Sequence, residues 1–280
     1  MNGEQKIENG NVRAKKSLGQ NFLRDTNIIE EIIRVAEVGE EDRILEIGPG
    51  DGALTAYLVS RAKQVSAIEL DSELIPRLAE RFRESDTLSL LEGNILELDV
   101  NQYLSESGFE DGKYKVVANI PYYITAPIIR LLLSVSIRPE RIVLMVQEEV
   151  ADRLSAHPGD MSILSVMAQY YADVHKEIFV PKAAFYPVPK VDSTVVRIVP
   201  KRTFDRDGDR RLFRVVRAGF SARRKTLTNN LASSFRIPRE EIVSMLAAIG
   251  LGPSVRAQEL SVEEWERLAE PIAHRLEQVS

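Results

Sequence analysis

Three short segments carry side chains able to do chemistry. The first, Glu46-Ile47-Gly48-Pro49-Gly50-Asp51-Gly52, follows an apolar run and leads into a helix-like one. Alternate glycines allow a tight turn and let a ligand approach the backbone, with the amino end of the next helix beyond it. The second is Glu69, which closes the next apolar run nineteen residues after Gly50. A carboxylate about 20 residues beyond such a loop can hold a ribose diol. The same residues would also serve as a plain glycine turn and a surface acid, but their placement after successive strands favours a nucleoside ligand. The spacing is G-x-G-x-G rather than the G-x-G-x-x-G of pyrophosphate binders, and Pro49 removes an amide donor, which points to a cofactor without phosphates. S-adenosylmethionine meets that description, with ribose, adenine and a sulfonium amino acid. The following run ends in Glu92-Gly93-Asn94. Asn94 either reads the adenine edge or is a turn residue, and the sequence leaves both open.

The third segment is Asn119-Ile120-Pro121-Tyr122. An exocyclic amine on a nucleobase is a poor nucleophile because its lone pair is delocalised into the ring. Two acceptors, the Asn119 side-chain oxygen and the Ile120 carbonyl, can bind both amine hydrogens and aim the lone pair at a methyl group. Pro121 fixes the backbone direction. Positioning and electrostatics then do the work without a strong base. Tyr122 can stack on an extruded base. The alternative is a helix-entry turn with an ordinary packed aromatic. Phe185-Tyr186-Pro187-Val188-Pro189 offers a second aromatic for the other face of the base, or else a proline-stiffened loop over core aromatics.

These segments need a frame. From Arg43 short β-type runs (RILEIG, QVSAIEL, LSLLEG, KVVANI, RIVLMVQ) alternate with helix-length amphipathic runs at 53–62, 72–83 and 126–135. Alternation of this kind predicts a doubly wound, mostly parallel sheet, and the continuous apolar strands fit a sheet covered on both faces. Thr26 is expected to cap an opening helix with Ile28, Ile29, Ile32, Ile33 and Val35 inward. Helices around 148–155 and 161–171 precede two further β runs, 173–180 and 192–199, expected as an antiparallel edge pair. Beyond about Asp205 the pattern is only helical. The expected division is a tail over 1–14, an α/β domain over 15–204 and a small all-helical domain over 205–280.

Composition narrows the chemistry. There is no cysteine, and the three histidines (His157, His175, His274) are far apart, so no thiolate, disulfide or histidine metal site is expected. No apolar run reaches the roughly 20 residues of a membrane span and the polar start lacks a signal core, so a soluble, cytoplasmic protein with no membrane partner is expected. The net charge is −5, yet 210–239 holds nine of the 37 basic residues and none of the 42 acids, leaving the other 250 residues at −14. These nine are Arg210, Arg211, Arg214, Arg217, Arg223, Arg224, Lys225, Arg236 and Arg239. Such a run on an acidic protein points to phosphate contacts. Lys15 and Lys16 are expected to extend that surface.

In combination, KKSLGQNFL at 15–23, LEIGPGDGALT at 45–55, NIPYYIT at 119–125, FYPVPKVDS at 185–193 and FSARRKTLTNNL at 220–231 closely resemble the ribosomal RNA adenine N6,N6-dimethyltransferases, best the bacterial small-subunit type. The resemblance implies a Rossmann-like class I methyltransferase fold with a seven-stranded sheet. It also implies transfer of methyl groups from S-adenosylmethionine to N6 of two adjacent adenines in a hairpin loop near the 3′ end of small-subunit rRNA. It assigns cofactor contacts to Asn21, Leu23, Gly48, Gly50, Glu69, Asn94 and Asn119, the two faces of the target adenine to Tyr122 and Phe185, and rRNA contact to 220–225. The family usually has Asp at the position of Asn94, so cofactor binding is expected to be weaker but retained. An immature small subunit is the expected partner of a monomeric enzyme. Three other functions are compatible with parts of the sequence. These are the large-subunit rRNA methyltransferase of macrolide resistance, an rRNA-binding assembly factor with secondary catalysis, and a nicotinamide-dependent dehydrogenase, which the loop spacing disfavours.

Overall fold

The computed structural model describes residues 14–15, 18–109, 111–203 and 205–278. Nine strands and eleven α-helices follow one another among them. A short β1 (Phe22–Leu23) precedes α1 (Thr26–Ala36), β2 (Arg43–Ile47), α2 (Ala53–Val59), β3 (Gln64–Glu69), α3 (Ile75–Arg81), β4 (Leu88–Glu92), α4 (Val100–Glu106) and β5 (Lys115–Asn119). Then come α5 (Thr125–Ser134), β6 (Arg141–Gln147), α6 (Glu148–Leu154), α7 (Ile163–Tyr171), β7 (Ala172–Val180), β8 (Phe185–Tyr186) and β9 (Ser193–Pro200). The remainder is helical: α8 (Arg206–Gly219), α9 (Leu227–Phe235), α10 (Arg239–Ala248) and α11 (Val262–Glu277).

Seven strands form one sheet in the order β4-β3-β2-β5-β6-β9-β7. The first five are mutually parallel, while β9 runs antiparallel to both β6 and β7. The strands are apolar because both faces are covered: Leu45, Ile68, Val116 and Leu144 pack into one core, and Ile44, Val65, Val117 and Val143 into the opposite one with α1. The chain reverses direction across the sheet at β2, whose neighbours are β3 and β5. Ligands of open α/β sheets bind at such a switch point, outside the carboxyl ends of the strands.

Several elements differ from expectation. The cap of α1 is Asp25, one residue earlier than Thr26; its carboxylate accepts from the amides of Asn27 and Ile28. The helix α4, which the sequence pattern did not disclose, starts at a similar cap, Asp99. Of the antiparallel pair only β7 is at the edge, because β9 inserts between it and β6. The two-residue strands β1 and β8 pair with each other, Phe22 opposite Tyr186 and Leu23 opposite Phe185.

The last four helices enclose their own core around the fully buried Trp265, stacked on Phe220 with ring centres 5.6 Å apart. Met161 and Val166 join that core from the α6–α7 connection and α7. A buried polar knot lies on the same boundary. Asp209 of α8 accepts from the hydroxyls of Tyr170 (2.9 Å) and Tyr171 (2.6 Å) and from the Asp205 amide (2.8 Å). Arg202 stacks over Tyr170 and pairs with Glu266 of α11.

Candidate active site

The glycine loop between β2 and α2 is built on left-handed backbone. Gly48, Gly50 and Gly52 have φ of 70°, 62° and 80°, which a side chain with a β-carbon resists. Gly52 is also held by close approach, since a β-carbon there would lie 2.8 Å from the Phe82 ring. The turn closes through the Gly52 amide on the Pro49 carbonyl and is anchored to β3 by the Gly48 amide on the Ile68 carbonyl, both 2.9 Å.

Glu69, at the carboxyl end of β3, takes the Gly50 amide on Oε2 (2.9 Å) and the Asp71 amide on Oε1 (2.8 Å). Burial nonetheless raises its carboxyl above the ordinary value, the two amides opposing the rise. A carboxylate has about four acceptor sites, so capacity remains for two hydroxyls. Asp71 behaves the other way: burial alone would raise it, but the Lys15 ammonium (2.7 Å) and the Gln20 amide (2.9 Å) outweigh burial and hold it below the usual range.

The segment after β5 forms the facing wall. Asn119 is its last residue, Pro121 holds φ −57° and ψ 135°, and Tyr122–Ile124 make one 3₁₀ turn into α5. The Asn119 side-chain nitrogen donates to the Asn21 carbonyl at 3.4 Å. The Tyr122 hydroxyl is bonded to Ser193 Oγ at 2.8 Å, and burial raises its pKa.

One cavity gathers these groups. It is lined by the strand-end and loop residues Glu46, Gly48, Gly50, Asp51, Glu69 and Asn119 to Tyr122, and by Gly19 to Leu23 from the amino-terminal segment. Asn21, Leu23, Gly48, Gly50, Glu69, Asn119, Ile120, Pro121 and Tyr122 are thus brought together from four places in the chain. Three carboxyls line the cavity and no Lys or Arg does. Asp51 is neutralised by Arg24 at 2.6 Å. Glu46, 1% exposed, has its Oε2 buried without a hydrogen-bond partner, and burial pushes the carboxyl up to about 8. That donor set suits a cationic ligand bearing a diol.

Other predicted residues lie elsewhere. Phe185 is 3% exposed and belongs to the core with Leu23 and Val180, so it does not line the cavity; the outward aromatic of that loop is Tyr186, 61% exposed. The β1–β8 pairing turns Phe185 inward. Asn94 is a turn residue: its oxygen accepts from the Leu96 amide (3.1 Å), its nitrogen donates to Glu97 (2.7 Å), and it is not among the cavity residues. Lys15 is paired with Asp71 and Glu73 and braces the acid behind Glu69 rather than extending the basic face. Lys16 lies outside the described residues. All nine basic residues of 210–239 are exposed, and none pairs with an acid among the described residues. The 219–222 turn that presents Arg223, Arg224 and Lys225 is held by buried Asn230, whose amide donates to the carbonyls of Gly219 and Ala222.

Sequence reasoning quoted Glu46 and Asp51 within the glycine segment without giving either a role, and it missed Gln20, Asp71 and Ser193. Glu46 left a signal, being the one acid inside an otherwise apolar inner strand. Gln20, Asp71 and Ser193 act as partners of the predicted Lys15, Glu69 and Tyr122, and Asp51 pairs with Arg24; only the folded chain brings them there.

Comparison with known proteins agrees with this architecture. The family model for ribosomal RNA adenine dimethylase matches residues 11–274. The ribosomal RNA small subunit methyltransferase A of Dehalococcoides mccartyi (strain CBDB1) is 40% identical over 264 residues, covering 94% of this chain and 89% of the relative. That of Bacillus mycoides (strain KBAB4) is 42% identical over 271 residues, covering 94% and 92%. Among solved structures, a dimethyladenosine transferase from Plasmodium falciparum superposes with a TM-score of 0.73 at 28% identity, covering 88% of this chain and 95% of that one. The 23S rRNA methyltransferase ErmE superposes with 0.70 at 27% identity, covering 90% and 99%. With the glycine loop, Glu69 and the Asn119–Tyr122 wall around one cavity, and that match over nearly the whole chain, the protein belongs to the ribosomal RNA adenine dimethylase family of methyltransferases.

Proposed function

We propose that this enzyme transfers methyl groups from S-adenosylmethionine to N6 of two adjacent adenines in the 3′-terminal hairpin loop of small-subunit rRNA, acting on an immature subunit. The observation that carries the reading is the shared cavity of Glu69 and Asn119, a carboxylate with acceptor capacity for a ribose diol and a carboxamide with acceptor capacity for an amine. The sulfonium of the bound cofactor supplies an electrophilic methyl. Glu69 holds the ribose hydroxyls and the glycine loop closes on the aminoacyl end. The Asn119 oxygen and the Ile120 carbonyl accept the two amine hydrogens, which turns the nitrogen lone pair away from the ring and toward the methyl. Tyr122, pinned to Ser193, packs on the base. The exposed arginines of 210–239 neutralise phosphates and orient the RNA without reading its sequence. The 40–42% identity to small subunit methyltransferases supports the choice of substrate.

The test is transfer of labelled methyl from S-adenosylmethionine to immature small subunits from cells lacking the native enzyme, with large subunits in parallel, followed by nucleoside analysis. N6,N6-dimethyladenosine in small-subunit rRNA alone is the expected result. Label in large-subunit RNA assigns the other substrate, and tight binding without label assigns an assembly factor.

A further inference from the structure

The three carboxyls of the cavity are not equivalent. Asp51 has the Arg24 guanidinium at 2.6 Å, and Glu69 has two backbone amides. Glu46 has neither: its Oε2 is buried without a partner, and it projects from the penultimate position of β2 onto the cavity wall. The charged groups that share its cavity are Glu69 at the end of β3, which acts on it directly, and Asp51 in the loop before α2, with Asp71 bonded behind Glu69. The cations answering them, Lys15 and Arg24, are engaged with Asp71 and Asp51. An ionised Glu46 would therefore stand uncompensated in a low-dielectric wall.

We infer that Glu46 is a proton switch in ligand binding: it stays neutral until a net positive ligand fills the cavity, and then releases its proton to solvent and pairs with that charge. The inference rests on the proposed cofactor and adds a discrimination. S-adenosylmethionine carries a net +1, whereas S-adenosylhomocysteine, left when the sulfonium has given up its methyl, is a neutral thioether. The donor therefore ionises Glu46 and gains an ion pair, while the product leaves Glu46 neutral and is held less firmly. The proton balance is one Glu46 proton out to solvent when the donor enters and one back when the sulfonium is discharged. Burial, which raises this carboxyl to about 8 with Glu69 adding to the rise and Thr55 opposing it, places the exchange near neutrality.

Calorimetric titration of the full chain at neutral pH, in buffers of different ionisation enthalpy, counts the protons released per ligand. Expected are close to one proton with S-adenosylmethionine, far fewer with S-adenosylhomocysteine, and none with either ligand in Glu46→Gln. Donor affinity in the wild type rises about tenfold per pH unit below pH 8 and levels off above it, as linkage of one proton requires. Since Glu46→Gln alters a packed strand, infrared spectroscopy of the wild type supplies a second measurement: a protonated-carboxyl band that the donor abolishes and the product leaves. Donor binding without proton release, equal release with both ligands, or unchanged release in Glu46→Gln overturns the switch while leaving the cofactor assignment intact. Failure of both ligands to bind removes the cofactor assignment and the switch together.

Discussion

The side-chain nitrogen of Asn119 lies 3.4 Å from the main-chain oxygen of Asn21, 98 residues earlier in the chain. A carbonyl can only accept, so this neighbour orients the carboxamide with its nitrogen toward β1 and its oxygen as the free acceptor. Asn119→Ala is expected to lower kcat by about 10²-fold or more, by analogy with loss of one oriented polar group at a reacting centre, while rRNA affinity stays within twofold. Single-turnover methylation and filter binding, run side by side, separate the two. Wild-type turnover would contradict the assignment.

The basic face makes an electrostatic prediction. Replacing Arg223, Arg224 and Lys225 by Ala removes three exposed charges. The log–log slope of rRNA affinity against salt should fall by roughly 2 to 3, at about 0.7–0.9 per phosphate contact, with cofactor affinity unchanged. An unaltered slope would place the RNA elsewhere.

Phe185 is expected to act through stability. As a core side chain, its replacement by Ala should cost about 3–5 kcal/mol, read as a lower denaturation midpoint. Tyr186→Ala should leave the midpoint nearly unchanged, because that ring is 61% exposed. A stable but inactive Phe185→Ala would return Phe185 to the adenine site.

Glu46 also sets a pH dependence of folding. Its carboxyl is raised in the folded state, so the folded protein holds more protons than the unfolded chain between about 4.5 and about 8. The contribution is complete below the unfolded value and is lost as pH climbs toward 8. Glu46→Gln should therefore gain in melting temperature relative to wild type as pH goes from 5 to 8. A constant difference across that range would argue against a buried neutral acid.

The sheet and the glycine loop were legible because both are local signals: apolar runs of strand length, and glycines spaced for left-handed backbone. Glu69 and Asn119 were legible because strand ends collect at the switch point of such a sheet. Asn94 and Phe185 were harder, since each had two local readings: Asn94 is taken up by its near neighbours Leu96 and Glu97, a turn that glycine and asparagine alone do not fix, while the placing of Phe185 depends on the distant β1–β8 pairing. The cap at Asp25 was misplaced because Asp and Thr, adjacent in sequence, are both good caps. The partners of the site, Arg24 for Asp51 and Ser193 for Tyr122, leave no trace in spacing.

The knot of Tyr170, Tyr171 and Asp209 has a metric consequence. Because α7 and α8 are joined by the Tyr170 and Tyr171 hydrogen bonds to Asp209 and by a shared core, the Arg223–Lys225 turn is tied through them to the domain that carries Asn119, and a span held in this way has a set length. With phosphates clamped at one end of that span, only a nucleotide at the matching distance along the RNA reaches the other. On the proposed function the protein therefore works as a calliper, choosing its adenines by their distance from the clamped backbone.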